Sequence, residues 1–204
     1  MASIGVDVND VLYDFIGQMV YVCEKYEKGK FDLEKNPLTE FDLVKYFNFS
    51  SKQELFHFLY SGDASWEIAG QGDQLHENLM TQFNMFLVDI KDDEEHEVIV
   101  VSREYDKSIP SRLFFLSKLG CKADKIQFSK NYEDLWDDVN VLITANPTAL
   151  ESKPEGKISI KINTTYNKDS KADYEMDSIL DFIKDETLRN KILNTKITIV
   201  KDID

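Results

Sequence analysis

Five runs along the chain are short and apolar at both alternating positions: Ser3–Val8, Glu97–Ser102, Lys125–Phe128, Val139–Ile143 and Lys157–Ile162. Strands covered on both faces carry this pattern, because a side chain pointing either way meets a packed layer. Between the second and third runs, Ser108–Leu119 places Leu113, Phe114 and Leu116 on an apolar stripe. Pro110 is acceptable in the first turn of such a helix, and Gly120 stops it. Strands alternating with helices predict an α/β fold, a doubly wound parallel sheet with a Rossmann-like core.

The interval Phe15–Lys91 is too long for a simple crossover and reads as mostly helical. Helices are predicted over Phe15–Tyr26, after Thr39 (Thr39-x-x-Asp42 has capping-box form), after Ser51 (Ser51-x-x-Glu54) and over Asp73–Val88. In the last, Leu75, Leu79, Phe83 and Phe86 recur at helical spacing. The charged stretch Lys91–Glu97 predicts a solvated loop. Near the C-terminus a helical pair is expected around Met176–Phe182 and Glu186–Leu193, then an edge strand at Lys196–Lys201. The expected organisation is a core of residues 1–14 and 92–204, interrupted by a helical unit of residues 15–91.

Charge narrows the partners. With 24 basic and 38 acidic residues the net charge is −14, a field that repels duplex nucleic acid and anionic membranes. Only Arg103, Arg112 and Arg189 are arginines, so an arginine beside a candidate site carries extra information. Cys23 and Cys121 lie far apart without zinc-like spacing, and no signal peptide, lipidation motif or membrane-spanning run is recognisable. A soluble, cytoplasmic protein is expected.

The chemistry begins at the first strand, where Ile4-Gly5-Val6-Asp7-Val8-Asn9-Asp10-Val11-Leu12-Tyr13-Asp14-Phe15 delivers the carboxylate of Asp7 at the strand end. Open α/β sheets build their sites at that edge. The segment resembles the first motif of the haloacid dehalogenase-like (HAD) phosphohydrolases, DxDGVL, most closely its form in the 5'(3')-deoxyribonucleotidases, DxDGVLADF. The resemblance implies that Asp7 stands at the position of the phosphoryl-accepting nucleophile. It puts Asn9 at the position of the general acid/base Asp, and Asp10 where the family has Gly. It also implies that the helical unit of residues 15–91 is the family's small cap.

Later segments extend the likeness. Val98–Val101 followed by Ser102 fits the second motif, whose hydroxyl binds a phosphoryl oxygen. Arg103 follows as a candidate substrate-binding residue, or as a surface residue held by Glu104, and Asp10 is a further substrate-binding candidate. Lys130, after Ile126–Ser129, is the nearest candidate for the third-motif lysine. In the fourth motif the nucleotidases read roughly LLIDDNP, and the acidic pair helps to hold Mg²⁺. Here Val141-Leu142-Ile143-Thr144-Ala145-Asn146-Pro147 puts Thr144 and Ala145 at those two positions. The downstream Asn163-Thr164-Thr165-Tyr166-Asn167 resembles the nucleotidases' Tyr-Asn ending of the last core strand.

By this resemblance, a Mg²⁺ ion would depend on Asp7, a main-chain carbonyl near Asn9 and Asn146, having lost the acidic pair. An amide at position 9 cannot shuttle a proton, and general acid–base help is typically worth ~10²–10⁴-fold. The first reading is therefore a catalytically impaired nucleotidase-like protein that binds a phosphorylated small molecule, a nucleotide or a protein partner. The second is an active Mg²⁺-dependent phosphatase with a rearranged site using Asp10 and Asn146. The third is an acidic structural or assembly subunit on the same fold.

Overall fold

The computed structural model describes residues 2–92 and 96–193. Within them six parallel strands form one sheet: β1 (Ala2–Asp7), β2 (His96–Arg103), β3 (Lys125–Ser129), β4 (Val141–Thr144), β5 (Ile158–Ile162) and β6 (Tyr174–Met176). Their order is β3-β2-β1-β4-β5-β6. The five strands predicted from apolar runs are all present, with every end within two residues of its expected place. The three-residue β6 was not predicted; it is too short to show a pattern and is held by pairing Ile160 with Tyr174 and Ile162 with Met176.

Covering on both faces explains the continuous apolar runs. Ile4, Val6, Val98, Val100, Val141 and Ile143 point to a large core shared with helical residues such as Met19, Phe83, Phe86 and Phe182. Ile99, Val101 and Leu142 point the other way, onto Leu135, Trp136 and Ala149. Burying one such side chain contributes about 1.5–3 kcal/mol. Gly5 lies on this second face, where a Cβ would come within 3.0 Å of Val139. A side chain here would press on Val139 and Leu142, which would have to shift by a few tenths of an ångström.

The connection from β1 to β2 is helical, as the sequence predicts. It contains α1 (Phe15–Lys25), α2 (Leu43–Tyr46), α3 (Lys52–Phe56) running into a π-helical turn (His57–Ser61), α4 (Ala64–Gly70) and α5 (Leu79–Asp92). The predicted start after Thr39 is corrected: Asp42 is the cap of α2, accepting a hydrogen bond from the N–H of Lys45. Ser51 does cap α3, but Glu54 reaches back to the N–H of Ser50 rather than Ser51. Helix α5 begins at Leu79 rather than Asp73, because Asn78 adopts a φ of +60° that no helix interior accepts. It continues to Asp92 and β2 begins at His96, so both ends of the predicted loop over Lys91–Glu97 belong to regular elements; residues 93–95 and the predicted strand at Lys196–Lys201 lie outside the described residues.

The remaining helices are α6 (Ser108–Lys118), α7 (Pro147–Glu151), α8 (Ile179–Lys184) and α9 (Glu186–Leu193). The first of the predicted C-terminal helices starts at Ile179, after a reciprocal capping box between Ser178 and Asp181. No described helix is long and apolar enough to cross a membrane.

Candidate active site

Strand order decides where chemistry can gather. β1 lies between β2 and β4, whose connections leave in opposite directions, so a crevice opens at their carboxyl ends. Register puts Asp7 beside Val101 of β2, one residue before Ser102, and Val6 beside Ile143, one residue before Thr144. Asp7 and Thr144 thus meet at this edge; Ser102 lies near the end of the neighbouring strand, and its hydroxyl turns to Glu104 instead.

Asp7 is 2% exposed, and its Oδ2 accepts a hydrogen bond from Thr144 Oγ1 at 2.7 Å. Thr144 Oγ1 in turn accepts from the N–H of Asn146 at 3.0 Å. Burial pushes the Asp7 carboxyl up to about 7; the Thr144 hydroxyl, the Asn9 and Val8 main chain and the Arg112 charge only partly oppose it. Near neutral pH Asp7 is thus divided between acid and carboxylate.

Asn9 is held from behind. Its Oδ1 accepts from Arg112 Nη2 at 2.7 Å, and Arg112 Nε donates to Glu104 Oε1 at 2.8 Å. Arg112 and Glu104 are 1% and 3% exposed, the guanidinium stacks 4.3 Å from the Tyr13 ring centre, and Ser102 Oγ donates to the same Glu104 oxygen at 3.1 Å. The chain Ser102–Glu104–Arg112–Asn9 therefore joins β2 and α6 to the loop after β1. Sequence reasoning gave Glu104 to Arg103; the structure pairs it with Arg112. The scarcity of arginine was the one signal that pointed to Arg112.

Asp10 takes the left-handed conformation, φ +56°, which suits the glycine of the resembled motif and which Asp tolerates better than most residues. Its carboxylate is committed. Oδ1 accepts from the N–H groups of Phe15 and Ile16 at the start of α1, and Oδ2 accepts from the Tyr166 hydroxyl at 2.6 Å. Burial is the main reason its carboxyl is raised to about 6.

Other predicted residues are placed differently. Asn146 accepts from the N–H of Ala149 and caps α7. Lys130 is exposed, and its main-chain carbonyl, rather than its side chain, accepts from Arg103 and Tyr105. Arg103 sits among the rings of Tyr60, Tyr105 and Tyr132.

Asp7, Asn9, Asp10, Phe15, Phe41, Tyr132, Asn146 and Tyr166 enclose a cavity of about 10 Å³, room for roughly one water. Three aromatic side chains, none singled out by the sequence as a site residue on its own, close it: Phe41 packs 5.0 Å from Tyr166 and 6.5 Å from Tyr132, centre to centre.

The donors present do not fit a Mg²⁺ ion. Mg²⁺ needs near-octahedral oxygen coordination anchored by carboxylates, yet of the expected ligands (Asp7, the Asn9 main-chain carbonyl and Asn146) only Asp7 is a carboxylate, the Asn146 side-chain oxygen caps α7, and both oxygens of the neighbouring Asp10 are engaged. Among the described residues no group of three or more His, Cys, Asp or Glu is placed to hold a metal ion.

No family model matches the sequence, and no curated protein matches it. Solved structures do resemble the fold. A phosphonoacetaldehyde hydrolase-like protein from Oleispira antarctica aligns with TM-score 0.62 and 12% identity over 94% of this chain and 92% of its own. A dehalogenase with an intermediate complex aligns with TM-score 0.53 and 11% identity over 89% and 95%. A HAD-hydrolase from Bacillus subtilis, bound to magnesium, aligns with TM-score 0.52 and 13% identity over 95% and 98%. What this chain shares with them is the fold: a parallel sheet with flanking helices in the HAD-like α/β arrangement.

Proposed function

We propose that this is a deoxyribonucleotidase-related protein that has lost Mg²⁺-dependent phosphoryl transfer and keeps its crevice for binding a phosphorylated small molecule or nucleotide. The observation that carries this reading is the hydrogen bond from Thr144 to Asp7. A hydroxyl occupies the side of Asp7 where the resembled family has a carboxylate, and it supports the nucleophile position without a metal. Phosphoryl transfer depends on positioning and on neutralising charge around the transferring group. The amide at position 9, pinned by Arg112, cannot act as an acid, and the burial that favours the protonated form of Asp7 works against its use as a nucleophile.

The rearranged-site alternative has less support, since both oxygens of Asp10 and the side-chain oxygen of Asn146 are already engaged. A protein-interaction role has one feature in its favour. Tyr21, Trp66 and Phe114, on the packed helices α1, α4 and α6, are 59%, 44% and 41% exposed, and the Trp66 and Phe114 rings lie 5.2 Å apart, the kind of exposed apolar surface that partners cover. The unpaired thiols of Cys23 and Cys121 suit a reducing cytoplasm.

The test pairs calorimetry with an assay. Phosphate release from deoxynucleoside monophosphates in Mg²⁺ should stay at the level of Asp7→Asn, while a nucleotide monophosphate still gives a binding isotherm. Turnover that vanishes in Asp7→Asn would refute the loss of chemistry. Absence of any nucleotide or phosphate binding would refute the retained crevice.

A further inference from the structure

One guanidinium joins the helical insertion to the sheet edge. Arg103, the last residue of β2, donates from Nε to the Lys130 carbonyl at 3.0 Å and from Nη1 to the Tyr60 hydroxyl at 2.5 Å. Tyr60 belongs to the π-helical turn of the insertion, whereas Lys130 follows β3. The guanidinium carbon lies 5.1 Å from the ring centres of Tyr60 and Tyr105 and 4.7 Å from that of Tyr132. Tyr105 adds its own hydroxyl to the Lys130 carbonyl and packs 5.0 Å from Tyr60. Cations are held over aromatic faces by the ring quadrupole, and more firmly where water is excluded.

One of these tyrosines reaches the site. Tyr132 lines the cavity at Asp7 and packs against Phe41, which belongs to the insertion and also packs against Tyr166. The seam between insertion and sheet thus has an apolar half, Phe41 between Tyr132 and Tyr166, and a polar half, Arg103 against Tyr60. The space behind it, about 10 Å³, is far smaller than any phosphate monoester. Access to Asp7 therefore requires this seam to part. π-helical turns often mark functional positions in helices, and here the turn carries the hydroxyl that Arg103 holds.

We propose that Arg103 is the latch of this seam: its contact with Tyr60 keeps the insertion closed over Asp7, and release of that contact admits the ligand. The latch rests on the binding reading above only for what enters; the opening itself is measurable without any ligand. Arg103 is a positioning residue here, acting on access through Tyr60 and Tyr132 rather than on a reacting group.

The experiment uses spin labels on Lys45→Cys in the insertion and Lys168→Cys in the sheet region, both exposed positions, in the full chain with Cys23→Ala and Cys121→Ser. Pulsed dipolar spectroscopy should give one narrow distance distribution for the parent. Arg103→Met should add a second, displaced population, and Arg103→Lys should reduce that population by restoring the cation over the rings. Tyr60→Phe removes only the hydroxyl and keeps the ring, so it serves where Arg103→Met fails to fold; it should add the same population more weakly. Distributions identical to the parent in folded Arg103→Met or in Tyr60→Phe overturn the latch, whatever the protein binds. Inorganic phosphate is the probe of access: it should bind the Arg103→Met protein several-fold faster than the parent. Faster binding without a shifted distance would also overturn the proposal, because access would not then depend on the insertion moving.

Discussion

Thr144 donates its hydroxyl hydrogen bond to Asp7 across neighbouring strands, and the N–H of Asn146 fixes the direction of that hydroxyl from the other side. The rotor has one proton to give, and with its own oxygen occupied by Asn146 it gives it to Asp7. A buried carboxyl is thereby kept near neutrality instead of rising further.

Thr144→Val keeps the shape and removes that donor. The Asp7 carboxyl should titrate above its present value of about 7, and the protein should lose about 1–3 kcal/mol at pH values where Asp7 is ionised. Carboxyl-detected NMR titration reads the first, and urea unfolding at mildly alkaline pH reads the second. An unchanged titration would mean that Thr144 does not govern the charge of Asp7.

The raised carboxyls make stability depend on pH in a defined direction. Asp7 and Asp10 hold protons in the folded chain up to about 7 and about 6, against 3.8 for an ordinary carboxyl. Between those values the folded state binds more protons than the unfolded state, so stability falls as pH rises through this window and levels off above it. Asp7→Asn removes the larger shift. It should flatten the profile and stabilise the protein above neutrality by on the order of 2–4 kcal/mol, as measured by unfolding across the window. A variant whose profile keeps the parent's slope would contradict the burial-driven shift.

Arg112 and Glu104 behave as a unit. Arg112→Met leaves Glu104 buried, with only the Ser102 hydroxyl still pairing the oxygen that Arg112 held, and should cost about 3–5 kcal/mol. Adding Glu104→Gln should recover a good part of that loss, since the stranded charge is gone. Chemical denaturation of both single variants and the double closes the cycle; strictly additive losses would show that the two side chains do not depend on each other.

How far the sequence reached follows from which signals are local. The strands were legible because residues such as Val98–Val101 need covering on both faces, and that need is written as a continuous apolar run. Asp7, Ser102 and Thr144 were legible because each ends such a run, and a parallel sheet brings run ends to one edge. Helix starts were less so: Thr39 and Asp42 both look like caps, and only backbone geometry selects Asp42. The network Asn9–Arg112–Glu104 was not legible, since it joins residues up to 103 positions apart through side chains alone. Nor was the aromatic closure by Phe41, Tyr132 and Tyr166, which come from three separate segments and meet only through side chains. The glycine-like conformation of Asp10 is a middle case, visible only once the segment is laid on the resembled motif.

Restoring carboxylates separates a missing metal from a missing acid. Thr144→Asp places a carboxylate where a hydroxyl now lies 2.7 Å from Asp7, close enough for both groups to share one cation. Mg²⁺ binding should therefore appear in this variant by calorimetry, although two unshielded carboxylates in so small a space will lower stability when Mg²⁺ is withheld. Asn9→Asp alone should not yield an acid. Arg112 Nη2 already holds the side-chain oxygen at position 9, so a carboxylate there becomes the partner of a buried cation and stays ionised. The combined Asn9→Asp/Thr144→Asp protein should bind Mg²⁺ yet release phosphate only slowly. Further replacing Arg112 and Glu104 together by Met and Gln should raise that rate more than the separate effects multiply to, because groups that act as one unit are non-additive. Ala145, the other altered position, is fully buried and is best left unchanged, since a carboxylate there would be isolated in the core. Vigorous turnover by the Asn9→Asp/Thr144→Asp protein with Arg112 intact would show that Arg112 does not control the charge at position 9. Absence of Mg²⁺ binding in a folded Thr144→Asp protein would show that the crevice has changed beyond the identity of its residues.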